Sequence, residues 1–205
     1  MPSRRDVLQV LAWGLALGLH RESHAGRQIE EPLSDAVRSA LNTAVTGAAP
    51  PEPVLPSTQH RHDYERWQLH SSQRLSRYKP HLAERQEFLQ TVWYEARRAG
   101  LPLSLVLGLV QVESGFRKFA VSSAGARGYM QVMPFWSRLI GDGDESRLFQ
   151  LQTNLRFGCV ILRHYLDSER GDVFMGLGRY NGSRGQRAYP DAVLAAQRQW
   201  WHEVD

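Results

Sequence analysis

An all-α fold is predicted by three observations. None of the 205 residues falls in a run with the sustained two-residue alternation of a half-buried strand. Apolar residues recur instead at helical spacing in successive segments, and glycine or proline punctuates the segment ends. The densest part of this pattern, residues 81–205, is expected to be one globular domain. A helical and proline-rich extension over 26–80 precedes it, and residues 1–25 have a different character.

Those first 25 residues read as an export signal. MPSRRD is charged, VLQVLAWGLALGL is apolar, and SHA before Gly26 suits a cleavage site. The apolar run from Val7 to Leu19 is shorter than the roughly 20 residues a membrane-spanning helix needs. SRRDVL also resembles a twin-arginine signal, so either that route or general secretion (Sec) fits. An uncleaved N-terminal anchor is the alternative, and the expected location is periplasmic.

In the extension, LSDAVRSALNTAVT (33–46) places Leu33, Val37, Ala40, Leu41, Ala44 and Val45 at helical spacing behind Ser34 as N-cap. APPEPVLPSTQ (49–59) holds four prolines and reads as an extended linker. Residues 62–79 are expected to be helical, anchored by Tyr64, Trp67 and Leu75, until Pro80 stops them. The extension could pack on the domain, tether it or contact a partner.

Within the domain, LAERQEFLQTVWYEARRAG brings Leu82, Leu89, Val92, Trp93 and Ala96 onto one face, with Gly100 as C-cap. Pro102 suits the first turn of the next helix, about 102–114. Its leucines and valines point all round, which is the pattern of a buried helix. Gly108 at its centre is unfavourable by about 1 kcal/mol relative to alanine, so a close helix crossing is expected there. Pro134 opens PFWSRLIG, GDGDES is a polar turn, and TNLRFGCVILRHYLDS, GDVFMGLGRYNGS and YPDAVLAAQRQWW supply the remaining helices.

Glu113 ends the buried helix. Loss of hydration disfavours its charged form, and the negative end of the helix dipole acts in the same sense. Both raise the pKa, which suits a carboxylic acid that must give up a proton near neutral pH. Ser114 and Gly115 close the helix, and the glycine-rich loop that follows returns as GYMQ, carrying polar side chains back toward the apolar patch.

Composition narrows the alternatives. Hydrophobic residues make up 42% of the chain, enough for one core with an extension. The net charge of +4 is mild and its basic residues are scattered, so nucleic acid is not an expected partner. Cys159 is the only cysteine, and GCVIL suits an inert buried thiol. It can form no internal disulfide, and a multi-cysteine metal site is excluded. No H-E-x-x-H occurs, and no metal or cofactor is expected.

Four ordered motifs then carry a resemblance: Glu113-Ser114, Gly128-Tyr129-Met130-Gln131, Asn154-Leu155 with Gly158, and Tyr180-Asn181-Gly182. Over about residues 85–201 the chain resembles the soluble-lytic-transglycosylase-like domain of family 1 lytic transglycosylases, placed with glycoside hydrolase family 23 and related to goose-type lysozyme. The resemblance implies a lysozyme-like helical domain that cleaves the MurNAc–GlcNAc β-1,4 bond of peptidoglycan without water, leaving 1,6-anhydroMurNAc. Glu113 would be the single catalytic acid and base.

By the same resemblance Ser114 would orient groups near the acid, or simply end its helix. Gln131 would bind an acetamido or hydroxyl group, and Tyr129 and Met130 would line the cleft. Tyr180 would hydrogen-bond Glu113 or the substrate, with Asn181 supporting its turn. Asn154 and Gly158 read as architectural. Asp142, Asp144 and Glu145 could approach the cleft from the polar turn. Arg179 and Tyr129 depart from the small apolar residue and the leucine common at those positions, which bears on subsite preference. Peptidoglycan strands are the expected partner, with an envelope or secretion assembly as a further one, and the chain is expected to be a monomer. A hydrolytic muramidase and a non-catalytic wall-binding module are the competing readings.

Overall fold

The computed structural model describes residues 28–46 and 55–205. The expected signal over 1–25 and most of the proline-rich stretch lie outside them. The described residues form eight α-helices in order: α1 (Asp35–Thr46), α2 (Thr58–Leu75), α3 (Leu82–Arg98), α4 (Leu103–Ser114), α5 (Phe135–Ile140), α6 (Leu151–Ser168), α7 (Val173–Asn181) and α8 (Ala188–Trp200). A 3-10 turn, Glu145–Phe149, joins α5 to α6. Among the described residues, extended pairing is confined to two isolated bridges, Val121 with Arg127 and Arg127 with Val132. None of the described helices is long and apolar enough to cross a membrane.

Local chemistry sets the helix ends. Ser34 Oγ accepts from the Val37 N–H at the start of α1. The α2 helix begins earlier than the sequence suggests, because Ser57, in extended backbone, accepts from the His60 N–H. It ends at Leu75, four residues before the predicted stop, where the Tyr78 and Lys79 N–H groups both turn back onto the Leu75 carbonyl. Asp172 caps α7 through the Met175 N–H.

The α4 helix is the central element. Leu103, Leu105, Val106, Leu107, Leu109 and Val110 are all buried. Its closest partner is α8. A Cβ on Gly108 would come within 2.6 Å of the Gln197 backbone nitrogen. The absence of a side chain there allows the two backbones to meet. Trp200 Nε1 donates to Gln111 Oε1 at 2.7 Å, which pins the far end of α8 to the same helix.

Around this pair lie α3, α6 and α7. The α3 face that packs inward is Phe88, Leu89, Val92, Trp93 and Ala96. Leu82, assigned to that face from spacing, is instead 54% exposed. It is the first residue of α3, and a side chain in the opening turn projects past the end of the neighbouring layer. Between α3 and α6, Arg156 and Glu95 form a buried pair at 2.8 Å, with Arg98 a further cation on Glu95.

The extension packs on the domain. Trp67 and Leu75 of α2 are fully buried in the same core, and Trp67 meets Trp93 of α3 at 5.2 Å between rings. Leu41 and Val45 of α1 join that core, and Asn42 Nδ2 donates to the Ile140 carbonyl.

Candidate active site

Glu113 sits in the last turn of α4 and is 3% exposed. Its Oε1 accepts a hydrogen bond of 2.5 Å from the Tyr189 hydroxyl, at the start of α8. Its Oε2 is buried and has no hydrogen-bond partner among the described residues. Burial pushes the Glu113 pKa up to about 8, while the Tyr189 bond pulls the other way. The acid is therefore mostly protonated at neutral pH, and its unbonded oxygen is the free position for that proton.

The loop after Glu113 makes its turn at some cost. Gly115 (φ 57°) and Phe116 (φ 64°) are both left-handed. Phe116 is not glycine, so this conformation costs it on the order of 1 kcal/mol. Burial of its ring against Tyr78, Phe88 and Trp200 offsets that cost. Ser114 Oγ donates back to the Val110 carbonyl at 3.1 Å, so this hydroxyl is engaged within the helix terminus.

The returning loop is fastened from several sides. Asn154 of α6 accepts from the Met130 N–H at 2.8 Å and donates to the carbonyls of Arg127 and Leu148. The Met130 side chain lies directly on Gly158, where a Cβ would come within 2.3 Å of its sulfur. Gln131, also left-handed (φ 49°), donates both amide hydrogens to the carbonyls of Ala120 and Gly128. The Gln131 amide nitrogen, part of a side chain expected to bind an acetamido or hydroxyl group, thus holds the loop.

The Tyr180 hydroxyl donates to the Met130 carbonyl at 2.8 Å, so this phenol bonds the loop and not Glu113. Burial is the largest influence raising the Tyr180 and Tyr189 pKa values and the Glu113 carboxylate, once ionised, is the next, which places all three in one buried cluster. Asn181 is 3% exposed and ends α7 beside Gly182, the left-handed cap. Tyr129 faces α3 instead: its ring packs on Phe88 at 5.1 Å and its hydroxyl accepts from Lys79 Nζ at 3.0 Å. The carboxylates of the polar turn are held locally, with Asp142 paired to Arg147, Glu145 to Arg127 and Arg138, and Asp144 accepting from Ser146.

Tyr189 is the site residue that sequence reasoning missed. YPDAV reads only as the opening of an amphipathic helix, and no spacing within it points to Glu113. The one indirect signal is Gly108, which announces a close crossing without saying which helix arrives.

These features define a class: an all-α domain in which a buried carboxylic acid ends a buried helix and, among the described residues, no second carboxylate contributes to its pKa shift. Residues 91–193 match the family described as Transglycosylase SLT domain, half of the chain, and the protein belongs to that family. It is 46% identical over 121 residues to the membrane-bound lytic murein transglycosylase C of Histophilus somni (strain 2336), covering 51% of this chain and 33% of that one. The corresponding protein of Actinobacillus pleuropneumoniae serotype 5b (strain L20) is 37% identical over 84 residues, covering 37% and 23%. The transglycosylase of Enterobacteria phage PRD1 is 30% identical over 115 residues, covering 53% and 42%. The chain thus spans less than half the length of each of these curated relatives. Among solved structures, an inactive mutant of the lytic transglycosylase Slt of Pseudomonas aeruginosa aligns with a TM-score of 0.43 at 23% identity, over 68% of this chain and 27% of that one.

Proposed function

We propose that the protein is an exported, periplasmic peptidoglycan lytic transglycosylase with Glu113 as its single acid and base. The observation that carries this is the state of Glu113: buried, held protonated with a pKa of about 8, and bonded through one oxygen only. Such a group gives its proton to the oxygen of the MurNAc–GlcNAc β-1,4 bond as that bond breaks. The resulting carboxylate then removes the proton of the sugar's own 6-hydroxyl, whose oxygen closes on C1 to form the 1,6-anhydro ring. Glu113 ends protonated, no water is consumed, and the substrate acetamido group can assist at C1.

Most glycosidases use two carboxylates. Here no other carboxylate among the described residues contributes to the Glu113 shift, and those of the polar turn are tied to neighbouring arginines or to Ser146. That supports the intramolecular route over hydrolysis. Ser114, Tyr129, Met130, Gln131, Tyr180 and Asn181 would shape the substrate site.

The test is digestion of purified sacculi followed by mass spectrometry of the muropeptides. Anhydro products, lighter by one water than reducing ends, are expected from the parent. Glu113→Gln should lose activity by about 10²-fold or more. Reducing ends alone would make the enzyme a muramidase, and undiminished digestion by Glu113→Gln would remove Glu113 from the chemistry.

A further inference from the structure

Residues 28–34 run without regular structure along the domain just before α1. Gln28 is 5% exposed, and its Oε1 accepts from the buried Trp136 Nε1 at 2.9 Å. Three residues on, Glu31 pairs with the Arg179 guanidinium at 3.0 Å. The Gln28 side chain also acts on the Tyr180 phenol, lowering its pKa against the larger effect of burial. Tyr165 joins the two contacts, with its ring edge-on to Trp136 at 6.2 Å and beneath Arg179 at 5.8 Å.

The receiving groups belong to the domain, whereas the occupant comes from outside the family-matched residues. A buried indole N–H requires an acceptor, and here a carboxamide oxygen brought in by the extension supplies it. Arg179, which departs from the small residue common before the tyrosine, gains a carboxylate from the same extension. A carboxamide oxygen is the chemical analogue of a sugar acetamido oxygen. A carboxylate is what the lactyl and peptide part of muramic acid presents.

We propose that Trp136 and Arg179 form a subsite for an N-acetylated, carboxylate-bearing sugar, and that Gln28 and Glu31 occupy it as built-in stand-ins for the acetamido and carboxylate groups. The segment then competes with the glycan, and its displacement precedes binding. Arg179 keeps Glu169 as a second partner at 3.4 Å, so it stays in place when Glu31 leaves. This rests on the reading of the site as one for peptidoglycan.

The experiment measures binding on the full chain carrying Glu113→Gln, so that its result is independent of whether Glu113 is the acid. The probes are a neutral N-acetylglucosamine oligomer and an anionic glycan of N-acetylmuramyl peptides. Gln28→Ala with Glu31→Gln should tighten both probes, by roughly tenfold for the anionic one. In that released background, Trp136→Phe should weaken both, and Arg179→Gln should weaken the anionic glycan alone. Glu31→Gln by itself alters a side chain that is 43% exposed, does not endanger the fold, and should still tighten the anionic probe. Unchanged affinity in the released variants overturns the stand-in, and an equal effect of Arg179→Gln on both probes overturns the carboxylate subsite.

Discussion

The Tyr189 hydroxyl and Glu113 Oε1 lie 2.5 Å apart, across 76 residues of sequence. One fixes the orientation of the other, because Oε1 is held while Oε2 is left free. The bond also lowers the Glu113 pKa against the larger effect of burial.

Tyr189→Phe should therefore do two things. Loss of the bond should reduce kcat/KM about tenfold, the equivalent of one strong hydrogen bond to the acid. The alkaline limb of the pH–rate profile should move upward from about 8, since a restraint on the Glu113 pKa is removed. A limb that stays in place or moves downward would contradict this coupling.

The raised pKa has a consequence for stability. Glu113 titrates near 4.5 when unfolded and near 8 when folded, so the folded state binds its proton more tightly. That contribution is fully present below pH 4.5 and is lost as pH rises through about 8, at roughly 1.4 kcal/mol per pH unit inside the window. Glu113→Gln has no such proton to lose. Its urea midpoint should overtake that of the parent between pH 5 and pH 8, and parallel profiles would rule out a protonated buried acid.

Gly108→Ala tests the α4–α8 contact. Alanine is favoured in a helix by about 1 kcal/mol. Its Cβ would nonetheless meet the Gln197 backbone at 2.6 Å, and displacing backbone costs typically 1–3 kcal/mol. The expected result is a lower Tm together with reduced activity well below it, because α8 carries Tyr189. An intact Tm and full activity would show that the crossing has slack.

The Glu95–Arg156 pair, with side chains 1% and 9% exposed, ties α3 to α6. Glu95→Ala leaves a buried guanidinium without its main counter-charge and should destabilise by about 3–5 kcal/mol in chemical denaturation. The double replacement of both residues by methionine should recover most of that loss. Equal destabilisation in the single and double variants would show that packing, not charge, is what the site needs.

Much of the architecture was legible in the sequence because helices announce themselves locally. The all-round apolar pattern of 102–114 implied the buried α4, and Gly108 implied a close neighbour; both follow from side-chain volumes within a few turns. Helix ends were less legible. The start of α2 depends on the Ser57 cap, which a proline-rich reading absorbed into a linker, and Leu82 looked apolar enough to be buried although its position in the first turn of α3 exposes it.

By itself, the sequence determined an all-helical domain and one acid at the end of a wholly apolar helix, since both depend on periodicity and on the cost of dehydrating a charge. Tertiary structure decided what surrounds that acid. It brought Tyr189 to Glu113, turned Tyr129 toward Lys79, committed the Gln131 amide to its own loop and laid Gln28 on Trp136. Each of these contacts depends on the angle and register at which distant segments meet. Local hydrophobic period is the same for every such register, so only the packed core could choose among them.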